Sequence, residues 1–249
     1  MKPQNKIFGI NTREAYERVM AEPEEEKKTE RTNPIPSNVT NADAYLILPG
    51  RKYGNYEYPD LLVATERTYN GNNWNQAHES LRQEGSLMLT IRQYVDFLNL
   101  LKSGKAHDGK GNIVAKSRLD GILDEIVTVR NPWRAEWLDA KFSSKGTLRK
   151  DWYVEYHNPR DDGAVNEQLE DCLRNDKTPG IDLDYWLQNA TAQGLPPKNN
   201  PDGSLYYYHP RDGRVAGFYA SSVRAVLYCD WNLANSDSSL GVRAAKIKA

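Results

Sequence analysis

The chain has 249 residues, a formal net charge of −1, and 27% charged against 39% hydrophobic residues. That length supports one large domain, or a domain with an appendage, and a core that needs no disulfide staples. The near-zero charge gives no electrostatic ground for a nucleic-acid partner or an anionic membrane surface.

The two cysteines, Cys172 and Cys229, make no Cys-x-x-Cys pair and no disulfide framework. Buried, reduced thiols are expected, with a single bridge as the alternative. The first twenty residues contain no apolar stretch of signal-peptide length, and no window approaches a membrane span. Tyr (15) and Trp (6) outnumber Phe (4), a palette that serves either a recognition surface or the wedging of an irregular core.

In chain order, residues 11–30 begin like a helix, with Asn11 as cap and Glu14 in the capping-box position. The run then passes into "EPEEEKKTERTNPIPSN", which cannot bury a core. Residues 1–41 therefore read as an arm or linker, for attachment or simply a solvated tail. A domain is expected over 42–249. "SLMLTIRQYVDFLNLLKSG" carries Leu87, Ile91, Tyr94, Val95, Leu98 and Leu101 at helical spacing, with Gly104 placed to end the helix. "KAHDGKGN" reads as a turn and "DEIVTVR" as a short strand. "NPWRAEWLDAKF" is expected to be a further helix, capped by Asn131, with Trp133, Trp137 and Leu138 buried. "DWYVEYHNP" alternates as a strand, packed through Trp152, Val154 and Tyr156. "IDLDYWLQNATAQGLP" gives a short helix or turn, and "SLYYYHPRDGRVAGFYA" two strands around a turn. The layout is α+β: two main helices on short antiparallel strands, with long polar loops.

The segment from Val215 to Ala245 contains no Lys, Glu, Gln or Met, although the rest of the chain is rich in Lys and Glu. Strand alternation divides it into two sets. Ala216, Phe218, Ala220, Ala225, Leu227 and Cys229 form a core-facing set; Leu240 and Val242 resume it in a closing strand. Gly217, Tyr219, Ser221, Arg224, Val226, Tyr228 and Asp230 face the other way, and "NLANSDSS" follows as a polar loop. Tyr with Ser, Asn and Asp is a binding palette: rigid contact area plus adaptable hydrogen bonds.

"RVAGF", "AVLYCDW" and "SLGVRAAK" resemble the variable region of proteins diversified by diversity-generating retroelements. "DYWLQNATAQGLP…GSLYYYHPRDGRVAGF" resembles the approach to that region, and "NPWRAEWLDAKF" the family's second helix. The resemblance covers roughly 42–249, is strongest after Ile181, and implies a variable ligand-binding region at about 214–243. It implies a C-type lectin fold of the formylglycine-generating-enzyme type. It also implies adenine mutagenesis of Asn-type codons, a process that cannot produce Lys, Glu, Gln or Met. Carried over by position, the ligand-binding set is Gly217, Tyr219, Ser221, Val223, Arg224, Val226, Tyr228, Asp230, Trp231, Asn232, Leu233, Asn235, Ser236, Asp237, Ser238 and Ser239. Trp231 cannot arise from an Asn codon by adenine changes alone and so stands as a fixed anchor. Ala216, Phe218, Ala220, Ala225, Leu227, Cys229, Leu240, Gly241, Val242 and Arg243 are the expected scaffold.

The resemblance thus implies a non-enzymatic receptor-type protein without cofactor. Its partner is a variable protein or surface ligand, met on a virus particle or a cell surface, with no nucleic acid and no membrane insertion. Rivals exist. Enzymes of the same fold group need a copper-binding cysteine pair or a histidine iron triad. Here Cys229 points to the core, and His78, His107, His157 and His209 are scattered, with no pair at helical ligand spacing. A calcium lectin would draw on Asp230, Asn232, Asn235 and Asp237, but the companion Glu-Pro-Asn triplet is missing. A structural particle subunit would use the C-terminal face against a neighbour.

Overall fold

The computed structural model describes residues 6–7, 10–11, 42–146, 151–159 and 163–248. Its strands are β1 (Lys6–Ile7), β2 (Ile10–Asn11), β3 (Tyr45–Leu48), β4 (Arg51–Tyr53), β5 (Tyr56–Tyr58), β6 (Leu61–Ala64), β7 (Leu87–Met88), β8 (Arg134–Lys145), β9 (Asp151–His157), β10 (Ala164–Gln168), β11 (Lys177–Ile181), β12 (Leu205–Tyr208), β13 (Val215–Ala220), β14 (Ala225–Trp231), β15 (Leu240–Val242) and β16 (Ala244–Ile247). The α-helices are α1 (Trp74–Gln83), α2 (Ile91–Ser103), α3 (Lys116–Val127) and α4 (Leu183–Asn189). The architecture is α+β and mostly sheet. Among the described residues no helix is long and apolar enough to cross a membrane.

The main sheet runs β10-β9-β8-β13-β14-β12-β11. β8 is its spine. One edge pairs with β13; the other takes β15 in parallel at Ala135–Trp137 and β9 in antiparallel at Lys141–Lys145. A second sheet, β3-β6-β16-β7, is closed by the last strand of the chain. Between the sheets and helices lie two clusters of buried side chains. Leu138, Ala140, Phe142, Ala216, Phe218, Leu227 and Cys229 join the helices in the larger one. Ala135, Trp137, Val215, Leu240 and Val242 face the smaller one with Trp74 and Ala77 of α1.

The expected helix over Ile91–Ser103 is present and its ends are local chemistry. Thr90 and Gln93 form a capping box, and Gly104 closes the helix at φ 68°, where a residue with a Cβ is strained. Leu87 is not part of it and pairs instead in β7.

Three elements differ from expectation. "NPWRAEWLDAKF" is strand β8, not a helix. Every residue from Arg134 to Ala140 is buried, so both faces are apolar or paired and no alternation marks the strand. "DEIV" is the last turn of α3, where Leu119, Leu123 and Ile126 form one buried stripe. α1 has no counterpart among the expected elements, although Asn73 and Gln76 make a capping box and Trp74, Ala77 and Leu81 are its buried face.

β9, α4, β12 and β13 form where expected. β12 and β13 are not neighbours, however: β14 lies between them, parallel to β12 and antiparallel to β13. The helix expected over 11–30 lies outside the described residues, except Asn11, which pairs with Lys6.

Candidate functional site

β13 and β14 form a hairpin closed by a turn in which the Ser221 N–H donates to the Arg224 carbonyl. The register pairs Phe218 with Leu227 and Ala220 with Ala225. All six residues of the core-facing set are buried, as are Leu240, Gly241, Val242 and Arg243. The alternation read from sequence therefore holds for the apolar side.

The opposite side is an aromatic platform. The rings of Tyr208 and Tyr228 lie 4.5 Å apart, Tyr228 and Trp231 5.6 Å, Tyr219 and Trp231 5.8 Å, and Trp133 and Tyr219 6.3 Å. The Trp133–Tyr219 pair is edge-on and the other three are tilted, with no face-to-face sandwich among the four. Tyr219, Tyr228 and Trp231 are all half-buried, with part of each ring facing solvent.

A register shift puts Trp231 there. Strict alternation would send it to the core side with Cys229. Instead Gly217 pairs with Tyr228 but Val215 pairs with Trp231, one residue more on β14 than on β13. This bulge rotates the indole onto the display side, over Trp137 at 5.0 Å.

Two residues of the expected binding set do not meet solvent. Val226 is 0% exposed, because its cross-strand neighbours are Tyr219 on one side and Tyr206 on the other, both larger. Gly217 is buried beneath Trp231. A Cβ there would stand 2.6 Å from the indole ring and 2.9 Å from the Glu136 carbonyl oxygen, so glycine is needed for the close approach.

Around the platform the polar residues are held. Asp230 lies 3.4 Å from Arg211 Nε and 3.5 Å from Arg214 Nε. The Arg224 guanidinium sits 4.9 Å from the Tyr206 ring centre, and the Tyr219 hydroxyl beside it raises its pKa further. Burial and the Asp230 charge push the Tyr228 phenol above its ordinary range, so it stays neutral.

The loop after β14 supplies the exposed rim. Asn232, Asn235, Ser236, Asp237 and Ser238 are exposed, with Ser221, Leu233 and Ser239 partly covered and Val223 76% exposed at the hairpin tip. Asn232 Oδ1 accepts from the Ala234 N–H and Asp237 Oδ1 from the Ser239 N–H, so both carboxamide and carboxylate also shape the loop. Leu233 packs on the smaller core cluster, and its carbonyl accepts from the main-chain N–H of Trp74, which pins the loop near its start.

The far end of the loop is pinned by buried charge. Glu136 is fully buried between Arg134 and Arg243. Arg243 donates through Nη2 at 2.8 Å and Nε at 3.1 Å, and Arg134 donates to the same carboxylate. Burial alone would raise the Glu136 pKa; the two guanidiniums reverse this and hold it at about 2. Arg67 Nη1 donates to the Ser239 and Ala135 carbonyls at 2.6 and 2.9 Å.

Several contributors lie outside the expected binding set: Trp133, Tyr206, Tyr208, Arg211 and Arg214. The signal for two of them was present, since Tyr206 and Tyr208 alternate with buried Tyr207 in β12. Ser222 and Ala234, left out of the expected set, are exposed beside it.

The histidines also differ from expectation. His107 and His209 stand apart, but His78 and His157 meet across the chain, with ring centres 4.5 Å apart. Asp139 of β8 lies between them, fully buried. Cys172 and Cys229 are free, buried thiols, both pushed up in pKa by burial. Comparison with protein-family models, with curated proteins and with solved structures finds no match for this chain.

Proposed function

We propose that the chain is a non-enzymatic binding protein whose C-terminal face is diversified by a retroelement to meet varied protein or surface ligands. The scaffold on this reading is a C-type lectin fold. One observation carries the proposal. A single hairpin seals its small and apolar residues, Phe218, Leu227 and Cys229 among them, while Tyr219, Tyr228, Trp231 and the loop from Asn232 to Ser239 face outward without one Lys, Glu, Gln or Met. An ordinary solvated face on this chain would carry Lys and Glu.

Recognition works by surface complementarity. The Tyr219, Tyr228 and Trp231 rings supply contact area that is already immobilised by stacking, so little rotamer entropy is lost on binding. Asp230 and Arg224 supply charge, and Asn235, Ser236 and Ser238 adaptable hydrogen bonds. Gly217 and Val226 belong to the supporting layer.

The test is the DNA beside the coding region. A near-copy of the stretch encoding residues 215–245, differing only at adenines and adjacent to a reverse-transcriptase gene, is expected. Differences spread over all four bases, or no such copy, would sink the reading. At the protein level, simultaneous Tyr219→Ala and Tyr228→Ala should abolish target binding with only a modest fall in melting temperature.

A further inference from the structure

We propose that His78, Asp139 and His157 bind one divalent transition-metal ion of the zinc type, a site independent of the C-terminal face. Three elements bring the residues together. Asp139 lies on β8, two residues from Trp137. His157 ends β9, the neighbouring strand, and its main-chain N–H donates to Asp139 Oδ2 at 2.7 Å. His78 sits one turn into α1, positioned by the Asn73 cap and by Trp74, whose indole N–H donates to the Leu138 carbonyl at 3.0 Å.

The donor atoms are spaced for a metal. Asp139 Oδ1 is 3.3 Å from His78 Nε2 and 3.2 Å from His157 Nδ1, and the three donor atoms lie within 4.8 Å of one another. Metal–ligand bonds of about 2.0–2.1 Å give tetrahedral donor–donor edges of about 3.3 Å. Oδ2 takes the backbone amide and is also 3.2 Å from His157 Nδ1; Oδ1 is the oxygen that lies near both ring nitrogens.

A plain ion triad accounts for this less well. His78 Nε2 is buried and makes no hydrogen bond of sound geometry, even to Oδ1. An imidazole nitrogen aimed at a carboxylate oxygen but off the hydrogen-bond line is suited to sharing a cation. The rings are also fixed, as metal ligands must be: the Trp74 ring packs edge-on against His78 at 4.2 Å.

Two imidazoles and one carboxylate form a borderline donor set, which selects zinc-class ions over calcium or magnesium. His78 and His157 line a cleft of about 650 Å³ whose wall also includes Glu79, Lys141 and Glu155. Asp139 lies behind that wall. The fourth position therefore opens to the cleft, where water or an oxygen-donor ligand can complete the shell.

The experiment uses the full chain, free of affinity tag and stripped with chelator, titrated with Zn²⁺ by calorimetry and with Co²⁺ by visible absorption. One ion per chain is expected, with the intense visible bands of four-coordinate Co²⁺. His78→Gln is the deciding variant, because the side chain sits at the cleft and its loss leaves α1 capped. It should weaken binding by more than about a hundredfold while the far-UV circular dichroism stays native. Asp139→Asn, nearly isosteric, should do the same. No saturable binding to the wild type, or undiminished binding in a native-like His78→Gln, overturns the proposal.

Discussion

Replacing Glu136 with Gln tests the buried charge cluster that closes the C-terminal loop. The substitution keeps the shape of the side chain but removes the buried anion that Arg134 and Arg243, both about 1% exposed, share; only the half-exposed Glu125, 2.8 Å from Arg134 and 3.7 Å from Arg243, is left to them. Removing one partner of a buried ion pair costs about 3–5 kcal/mol. The pKa gives a similar figure: a carboxyl held at about 2 rather than the ordinary 4.5 contributes about 3 kcal/mol at neutral pH. Because the folded-state value is depressed, that contribution is complete above the unfolded value and is lost as pH falls through the folded one. Urea unfolding, followed by tryptophan fluorescence from pH 7 to 3, reads both effects. Glu136→Gln should be less stable by about 3 kcal/mol at pH 7, and the gap should shrink to about half by pH 3. A gap under about 1 kcal/mol at pH 7, or one that does not change with acid, would refute the account.

Gly217→Val should push Trp231 off the platform, costing about 1–3 kcal/mol. Its red-shifted fluorescence should disappear in a Trp231→Phe background; an unshifted spectrum would mean the ring is not where the close approach puts it. Leu227→Asp places an unpaired charge in the larger core and should abolish the native circular dichroism, whereas retained native signal would show that the register is wrong. Neither thiol should react with a water-soluble disulfide reagent in the native protein, and both should react in denaturant, since burial disfavours the thiolates. A rapidly labelled cysteine under native conditions would contradict their burial.

Part of the fold is written in short-range signals. Alternation at period 2 separated Phe218 and Leu227 from Tyr219 and Tyr228, because a hairpin with one sealed face writes its register into neighbouring residues. The stripe from Ile91 to Leu101 and the stop at Gly104 are likewise short-range signals. The capping box of α1, Asn73 with Gln76, is a signal of the same short range.

Tertiary structure alone decided the rest. β8 is buried on both faces, so Trp137 and Leu138 look like a helix stripe until partners on each side pair its backbone. The bulge that turns Trp231 outward exists only against β13, and Val226 is covered only because Tyr206 and Tyr219 flank it. The histidine cluster joins α1, β8 and β9. No spacing rule can see it, since side chains far apart along the chain become neighbours only when the core closes over Asp139.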